Sequence, residues 1–286
     1  MNKWVAGARP RTLPAAIAPV VVGTALIHID SKQISWLNAL LALGVSLALQ
    51  IGVNYSNDYS DGVRGTDENR VGPIRLVASG LASAAAVKNA ALLTFGLAAV
   101  LGLVLAARTS WWLVLVGAVA ILAAWTYTGG RKPYGYQGFG ELSVFIFFGV
   151  VATMGSYFAQ SEKITWQALL VSIPMGALAC AILAINNLRD LPKDKLVGKK
   201  TLAVRVGDKN ARYIFVGLLL LAHLASAVAA VITPRTLITV ALLPQTYLVV
   251  VTVLRGAQGA DLIPLLGRVG KLQLYFALGL ALALIL

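Results

Sequence analysis

Two short stretches of this chain carry most of the side chains that could do chemistry. They read Asn57-Asp58-Tyr59-Ser60-Asp61 and Asn186-Asn187-Leu188-Arg189-Asp190, and each lies at the end of a long apolar run. Six of the 11 acidic residues lie in or just after these stretches: Asp58, Asp61, Asp67, Glu68, Asp190 and Asp194. Carboxylates concentrated in this way beside hydrocarbon are typical of the walls of a metal site.

The spacing within both stretches places oxygen ligands on one face of a helix. Asn57 and Asp61 are four residues apart, as are Asp190 and Asp194, and residues four apart are neighbours on a helix surface. Two such pairs that face each other offer only oxygen ligands, which suit a hard cation such as Mg²⁺. We therefore predict a Mg²⁺ cofactor. The predicted ligands are Asn57, Asp58, Asp61, Asp190 and Asp194.

Basic residues interleaved with these acids predict that the metal binds a diphosphate. Arg and Lys would neutralise the phosphate oxygens that the metal leaves free. The predicted diphosphate-binding residues are Arg64, Arg75, Tyr127, Arg131, Lys132 and Lys193. One alternative is that these charges form weak ion pairs at the surface. For the Gly-rich segment 127–136, a second alternative is an interfacial aromatic belt flanked by cations that set the membrane orientation.

Membrane-spanning helices are the elements that must position these residues. The chain is 58% hydrophobic and 12% charged, with a mean hydropathy of +0.80. A helix of about 20 apolar residues crosses a bilayer. Runs near this length occur at about 12–29, 36–54, 84–107, 110–128, 141–159, 166–185, 212–232, 236–254 and 268–286. We therefore predict one all-α domain over 1–286, a polytopic membrane protein with nine transmembrane helices around a central cavity.

The distribution of charge predicts how the helices are oriented. The net charge is +13, which on a soluble chain would indicate a nucleic-acid partner. With a cytoplasmic N-terminus, however, twenty of the 24 Lys and Arg residues lie on the cytoplasmic side. We predict a multi-pass protein of the bacterial plasma membrane, in contact with lipid and not with nucleic acid. Its active site would face the cytoplasm, beside long polar connections at about 55–83 and 186–211.

The two stretches also indicate a weak internal repeat. The first ends the second predicted span and the other ends the sixth, four helices later. This spacing predicts two four-helix units followed by one further helix. Equivalent helix ends would then face each other across the central cavity.

A metal-bound diphosphate at a membrane surface, with its organic tail in lipid, is the chemistry of an allylic prenyl diphosphate. The metal and the cations would stabilise the departing diphosphate while the carbon–oxygen bond breaks. Apolar walls would exclude water from the allylic cation. An electron-rich aromatic acceptor could then attack at carbon without a covalent enzyme intermediate.

On these residues the chain resembles the UbiA superfamily of intramembrane aromatic prenyltransferases over essentially its whole length. The resemblance implies two Mg²⁺ ions that bridge the diphosphate, with ligands from both stretches. The positions that match the family's motifs are Asn57-Asp58-x-x-Asp61, Asp190-x-x-x-Asp194 and Tyr127-x-x-x-Arg131. Arg131 stands where the family has Lys, and Lys132 could take that role.

A departure from the family pattern indicates a subgroup. Many members have Asp where this chain has Gly65. The segments Gly65-Thr66-Asp67, 70–76 and Tyr134-Gly135-Tyr136 resemble the 1,4-dihydroxy-2-naphthoate polyprenyltransferases of menaquinone biosynthesis. This resemblance implies two substrates, a polyprenyl diphosphate and 1,4-dihydroxy-2-naphthoate. The prenyl chain would replace the carboxyl group of the naphthoate, giving demethylmenaquinone and CO₂.

The acceptor step is a hypothesis built on the charges that follow the first stretch. Asp67, or another acid of 61–68, would help to deprotonate a naphthoate hydroxyl, while Arg64 or Arg75 would hold its carboxylate. The predicted catalytic residues are Asp61, Asp67, Asp190 and Tyr127. Three alternatives stay open: another aromatic acceptor such as 4-hydroxybenzoate, a secondary transporter, and a catalytically silent carrier of prenyl lipids.

Overall fold

A computed structural model of the chain describes residues 2–66, 72 and 74–286, which contain helices and no strand. The prediction of an all-α fold is therefore confirmed. In chain order the helices are α1 Lys3–Ala8, α2 Pro14–Ala25, α3 Trp36–Val63, α4 Ala84–Arg108, α5 Trp112–Thr126, α6 Gly140–Ser161, α7 Trp166–Leu196, α8 Leu202–Val228, α9 Leu243–Leu254 and α10 Leu262–Ile285. A π-helical turn, Phe145–Val151, lies inside α6.

Seven helical segments of the described chain are long and apolar enough to cross a membrane. An eighth is a bent pair, Lys3–Thr12 and Pro14–Asp30, whose two parts meet at 53°. Pro14 fits the first turn of a helix but cannot continue the preceding one, which accounts for the break. The predicted span at 110–128 corresponds to α5, which has only 15 residues. Seven or eight spans are thus found, and the count of nine stays a prediction.

The two polar connections begin later than the sequence indicates. The helix α3 continues to Val63 and α7 continues to Leu196, so both motif stretches are helical. Asn and Asp have a low intrinsic propensity for helices. They do not end a helix whose opposite face is packed, because tertiary packing overrides propensity. The predicted connections at 55–83 and 186–211 are therefore wrong in their first residues. As a result, the motif side chains stand on rigid helical turns.

The helix α7 is the centre of the bundle. In its most apolar window, 78% of the residues are buried. Its Gly176 lies against Gly149 of α6, and a Cβ built on Gly149 would come within 2.5 Å of the Gly176 Cα. Small residues let two helix backbones approach closely where lipid offers no hydrophobic driving force. Beside this contact, Met175 packs in an apolar core with the buried rings of Phe215 and Phe276.

Candidate active site

A polar cavity of about 440 Å³ lies at the end of the bundle where α3 and α7 finish, called here the motif end. Asn57 and Asp61 of α3 line one wall. Asp190 and Asp194 of α7 line the same cavity. The two motif stretches, which are more than a hundred residues apart in the chain, therefore meet as the repeat predicts.

The two motif helices end in the same way. Gly65 and Gly198 both adopt left-handed φ values, of 68° and 74°, which glycine reaches without steric cost. In each case the next backbone N–H turns back to the carbonyl of the motif aspartate. Thr66 donates to Asp61 at 3.1 Å, and Lys199 donates to Asp194 at 2.8 Å.

These matching ends set the register of the repeat. Asp61 and Asp194 both stand four residues before a terminal glycine, so Asn57 corresponds to Asp190. The sequence pattern alone had matched Asn57 with Asn186, one helical turn earlier. The structure also explains Gly65, which occupies a left-handed helix end that disfavours Asp.

Several polar side chains hold Asp61 at the cavity. Its Oδ1 accepts a hydrogen bond at 3.1 Å from Nζ of Lys199 and another from the hydroxyl of Tyr136. A guanidinium nitrogen of Arg75 lies 3.9 Å from Oδ2. The side chains of Asp61, Arg75 and Lys199 are only 6%, 8% and 10% exposed. Buried charges of this kind persist when partners or a ligand compensate them.

On α7, Asp190 forms a two-pronged ion pair with the adjacent Arg189, at 2.7 and 2.8 Å. Two cationic nitrogen atoms of this helix, Nζ of Lys193 and Nη1 of Arg189, are buried and have no hydrogen-bond partner among the described residues. Both residues line the polar cavity. Buried donors without partners destabilise the folded state, and an anion bound at this wall would provide those partners.

The structure does not bring Asp58 to the cavity. This residue is fully buried, and its two carboxylate oxygens accept hydrogen bonds from the backbone N–H groups of Leu76 (2.8 Å) and Val77 (3.1 Å). Its side chain therefore holds the chain that returns towards α4. The predicted metal-ligand role of Asp58 finds no support in this geometry.

Only half of the predicted diphosphate-binding residues line the polar cavity. Arg75, Tyr127 and Lys193 do so. The guanidinium of Arg64 instead donates to the carbonyls of Thr128 and Gly130. The remaining two cations, Arg131 and Lys132, are exposed and lie outside the cavity wall. Asp67, predicted to be catalytic, lies outside the described residues.

Sequence reasoning missed several residues of the cavity wall, including Arg9, Arg11, Tyr136 and Lys199. Lys199 and Tyr136 hold Asp61, and Arg9 and Arg11 line the cavity from the segment between α1 and α2. The signal for Lys199 was the glycine before it, which turns the chain back over the end of α7. Arg9 and Arg11 were assigned only to membrane orientation, although the bend after α1 places them beside the motif helices.

Two tyrosine hydroxyls of the cavity stay protonated at neutral pH. Burial raises the pKa of Tyr127, and the nearby Glu141 carboxyl adds to the effect. Burial also raises the pKa of Tyr136, and the charge of Asp61 raises it further. The Tyr127 hydroxyl is therefore available as a hydrogen-bond donor to an anionic oxygen, and the Tyr136 hydroxyl already donates to Asp61.

An apolar cavity of about 470 Å³ adjoins the polar one. Asn57 and Tyr127 line both cavities and mark their junction. From there the apolar cavity runs among the six helices α2 to α7, past residues such as Leu103 and Phe147. The arrangement can hold a polar head at the motif end and a hydrocarbon chain among the helices.

The ligand set of the polar cavity suits a hard cation that is shared with a phosphate ligand. Within the described ranges, no three His, Cys, Asp or Glu side chains lie close enough to hold a metal ion by themselves. The cavity does present carboxylates from both helices and the amide of Asn57, with buried cations beside them. Mg²⁺ commonly takes one or two protein carboxylates and completes its shell with phosphate oxygens and water.

The helical bundle and this two-part site define an intramembrane enzyme of prenyl transfer, and the chain belongs to the UbiA prenyltransferase family. The model of that family matches residues 16–285. The 1,4-dihydroxy-2-naphthoate octaprenyltransferase of Mycobacterium tuberculosis is 49% identical, over 99% of this chain and 96% of that protein. The Escherichia coli protein of the same name is 42% identical, over 73% of this chain and 70% of its own length.

Solved structures show the same fold. A UbiA homolog from Archaeoglobus fulgidus, bound to DMAPP and Mg²⁺, superimposes with a TM-score of 0.72 at 16% identity, over 99% of both chains. A UbiA homolog from Aeropyrum pernix, without ligand, gives a TM-score of 0.71 at 15% identity, over 94% of this chain and 96% of the other. At such low identity the likeness establishes the arrangement of helices.

Proposed function

We propose that this protein transfers a polyprenyl chain from polyprenyl diphosphate to 1,4-dihydroxy-2-naphthoate, with loss of CO₂. The product is the demethylmenaquinone skeleton of menaquinone biosynthesis. The observation that carries the proposal is the junction of a polar, cation-lined cavity with an apolar one of similar size. We infer the naphthoate acceptor and the prenyl donor from the names of the M. tuberculosis and E. coli relatives.

The polar cavity binds the diphosphate head. Asn57, Asp61, Asp190 and Asp194 line this cavity and would hold Mg²⁺, which would supply positive charge to the departing diphosphate. Lys193 lies on α7 and offers a buried ammonium that has no hydrogen-bond partner in the described part of the chain. Such preorganised cations stabilise negative charge where it develops.

Further donors complete the diphosphate pocket. Tyr127 stays protonated and stands at the junction of the cavities, where the bond between carbon and the diphosphate oxygen would lie. Lys199 already holds Asp61 and can share its charge with a phosphate oxygen. Together these groups stabilise the leaving group without forming a covalent bond to it.

The apolar cavity receives the prenyl chain and excludes water. Its wall is mostly hydrocarbon and includes Phe147 and Phe148. Aromatic and aliphatic walls protect an allylic cation from water until the acceptor attacks. The carbon–oxygen bond breaks at the junction, and the ring carbon that carries the carboxyl group forms the new bond.

For the acceptor, Arg75 is the better of the two predicted carboxylate partners. It lines the polar cavity, whereas Arg64 is directed at backbone carbonyls of the 128–130 turn. Asp67 remains our candidate for the group that deprotonates a naphthoate hydroxyl, because it follows the first motif directly. Unchanged turnover of Asp67→Asn at saturating Mg²⁺ would remove it from the mechanism.

We place the protein in the bacterial plasma membrane with the motif end facing the cytoplasm. The basic residues of both motif helices and of the turn after α5 gather at this end. Positive loops are retained on the cytoplasmic side during insertion. Both substrates of the proposed reaction are anionic, and this side would present the cavity to them.

The test is a prenyl-transfer assay with the purified protein in lipid nanodiscs. We expect prenylated naphthalenediol and CO₂ from octaprenyl diphosphate and 1,4-dihydroxy-2-naphthoate, and no product in excess EDTA until Mg²⁺ is restored. Product formed in EDTA would contradict the metal-dependent mechanism. Prenylation of 4-hydroxybenzoate in place of the naphthoate would contradict the acceptor, and uptake of a ligand without chemical change would favour a transporter.

A further inference from the structure

A hydrogen-bonded pair of polar side chains beside the polar cavity indicates one more ligand for the metal ion. Nδ2 of Asn187 donates a hydrogen bond of 2.8 Å to Oε1 of Glu141, the second residue of α6. Asn187 lines the polar cavity, and Glu141 lies behind it. We propose that Asn187 is an additional oxygen ligand of the divalent cation, and that Glu141 is the positioning residue that turns its amide oxygen to the cavity. The inference rests on the proposed function.

The contact with Glu141 decides which end of the amide meets the cavity. A side-chain amide carries its oxygen and its NH₂ group on opposite arms of one plane. Oε1 of Glu141 accepts a hydrogen bond whether or not Oε2 carries a proton, so it selects the NH₂ arm of Asn187. The oxygen arm must then point the other way, towards the cavity that Asn187 lines.

Glu141 is itself held in place. Its backbone carbonyl accepts a hydrogen bond of 3.0 Å from Sγ of Cys180, which lies two turns before Asn187 on α7. Its second carboxylate oxygen, Oε2, is buried and has no hydrogen-bond partner among the described residues. A polar atom left unpaired in this way is costly, which indicates that the carboxyl group serves a purpose other than packing.

The position of Asn187 suits a cation better than a phosphate. Asn187, Asp190 and Asp194 follow one another at i, i+3 and i+7, so they share a face of α7. An amide oxygen beside two carboxylates adds to a site for a hard cation and would repel phosphate oxygens. On α3 the amide of Asn57 precedes Asp61 by one turn, so both walls would combine an amide with a carboxylate.

Paired variants separate a ligand from a packing residue. The double variant Glu141→Leu with Asn187→Leu removes both polar groups together, which leaves no buried group unpaired. In the double variant Glu141→Gln with Asn187→Asp, the new amide donates to one oxygen of the carboxylate and leaves the other at the cavity. Glu141→Gln alone is the matched control, because its amide oxygen can still accept from Asn187.

The measurement is Mn²⁺ binding, followed by electron paramagnetic resonance in the presence of methylenediphosphonate, with thermal unfolding as the check on the fold. We expect the leucine pair to unfold like the wild type but to bind Mn²⁺ at least about tenfold more weakly. The Gln–Asp pair should bind Mn²⁺ at least as tightly as the wild type, because a carboxylate replaces a neutral ligand. Glu141→Gln should bind as the wild type does.

Two results would overturn the assignment. One is wild-type Mn²⁺ affinity in a folded leucine pair, and the other is a Gln–Asp pair that binds no better than the leucine pair. In either case the proposed enzyme would keep its metal site without Asn187. A wild-type protein that binds no Mn²⁺ beside the diphosphonate would instead overturn the metal-dependent function itself, and the ligand assignment with it.

Discussion

At the scale of single residues, neighbouring acids on one helix have different roles. Asp58 and Asp61 are three residues apart on α3, and both are buried. Asp58 binds two backbone N–H groups, whereas Asp61 faces Lys199 and Tyr136 at the cavity. The helical twist, and not the residue type, decides which acid can reach a substrate.

This difference predicts different effects of two alanine substitutions on turnover. Asp58→Ala leaves the N–H groups of Leu76 and Val77 without their acceptor, so we expect a loss of about 2–4 kcal/mol in unfolding free energy and turnover close to that of the wild type in the protein that stays folded. Asp61→Ala removes a substrate-facing group and should lower turnover by about 10²-fold or more, and the loss of its buried ion pairs lowers the unfolding free energy as well. Thermal unfolding in detergent and steady-state kinetics check the two effects. Equal effects of both variants on turnover alone would contradict the division of roles.

Lys199 provides a second prediction at this scale. Lys199→Met removes the charge beside Asp61, and we expect the KM for the prenyl diphosphate to rise by about 10- to 100-fold, the value of a charge-assisted contact. Lys195→Met, which changes an exposed lysine in the last turn of α7, is the control and should leave KM unchanged. A Lys199→Met enzyme with wild-type KM would show that this lysine serves only Asp61.

At the scale of the elements, two features position the site. The motif helices end at left-handed glycines, which fold the following residues back over the cavity. The central helix α7 is held against α6 by glycine packing near the middle of both helices. Because the first turn of α6 carries Glu141, this contact determines how close that turn comes to Asn187.

The glycine contact predicts a sharp dependence on size. Gly149→Ala places a Cβ within 2.5 Å of the Gly176 backbone, which cannot move aside as a flexible side chain would. Overpacking of this kind costs about 1–3 kcal/mol, so the unfolding temperature should fall. Gly155→Ala, also on α6, has nothing within 4 Å of the new Cβ and is the matched control. Similar unfolding temperatures for the two variants would contradict the close approach.

At the scale of the whole molecule, the bundle contains a cavity lined by charged residues at the motif end and an apolar cavity among the helices. The polar and apolar cavities meet at Asn57 and Tyr127, so a single bound molecule can extend from one into the other. Each cavity is lined by residues of several helices from both halves of the chain. The length of prenyl chain that the apolar cavity accepts is therefore a property of six helices together.

Filling the apolar cavity should shorten the accepted prenyl chain. Gly117 of α5 lines this cavity and has open space around it, so Gly117→Leu would project into the path of the chain. We expect KM for a long polyprenyl diphosphate to rise about tenfold or more, while dimethylallyl diphosphate is still used. Gly96→Leu, an exposed position of α4 outside both cavities, is the control. An equal change for long and short donors would place the chain elsewhere.

The sequence by itself determined the class of fold and the two sets of acids. Apolar runs of membrane-spanning length require helices, because lipid cannot satisfy free backbone groups. The four-residue spacing of Asn57 with Asp61, and of Asp190 with Asp194, required each pair to share a helix face. These are local rules that a linear pattern can express.

The tertiary structure alone decided which of the charged residues meet. It placed Lys199 on Asp61 across 138 positions of the chain, turned Asp58 towards the backbone, and kept Arg64 out of the cavity. Such contacts depend on helix rotation and on the turns at helix ends, where a single left-handed glycine redirects every residue after it. The spacing of the acids in the sequence therefore predicted the chemistry of the site. Packing in the tertiary structure determined which cations lie beside those acids.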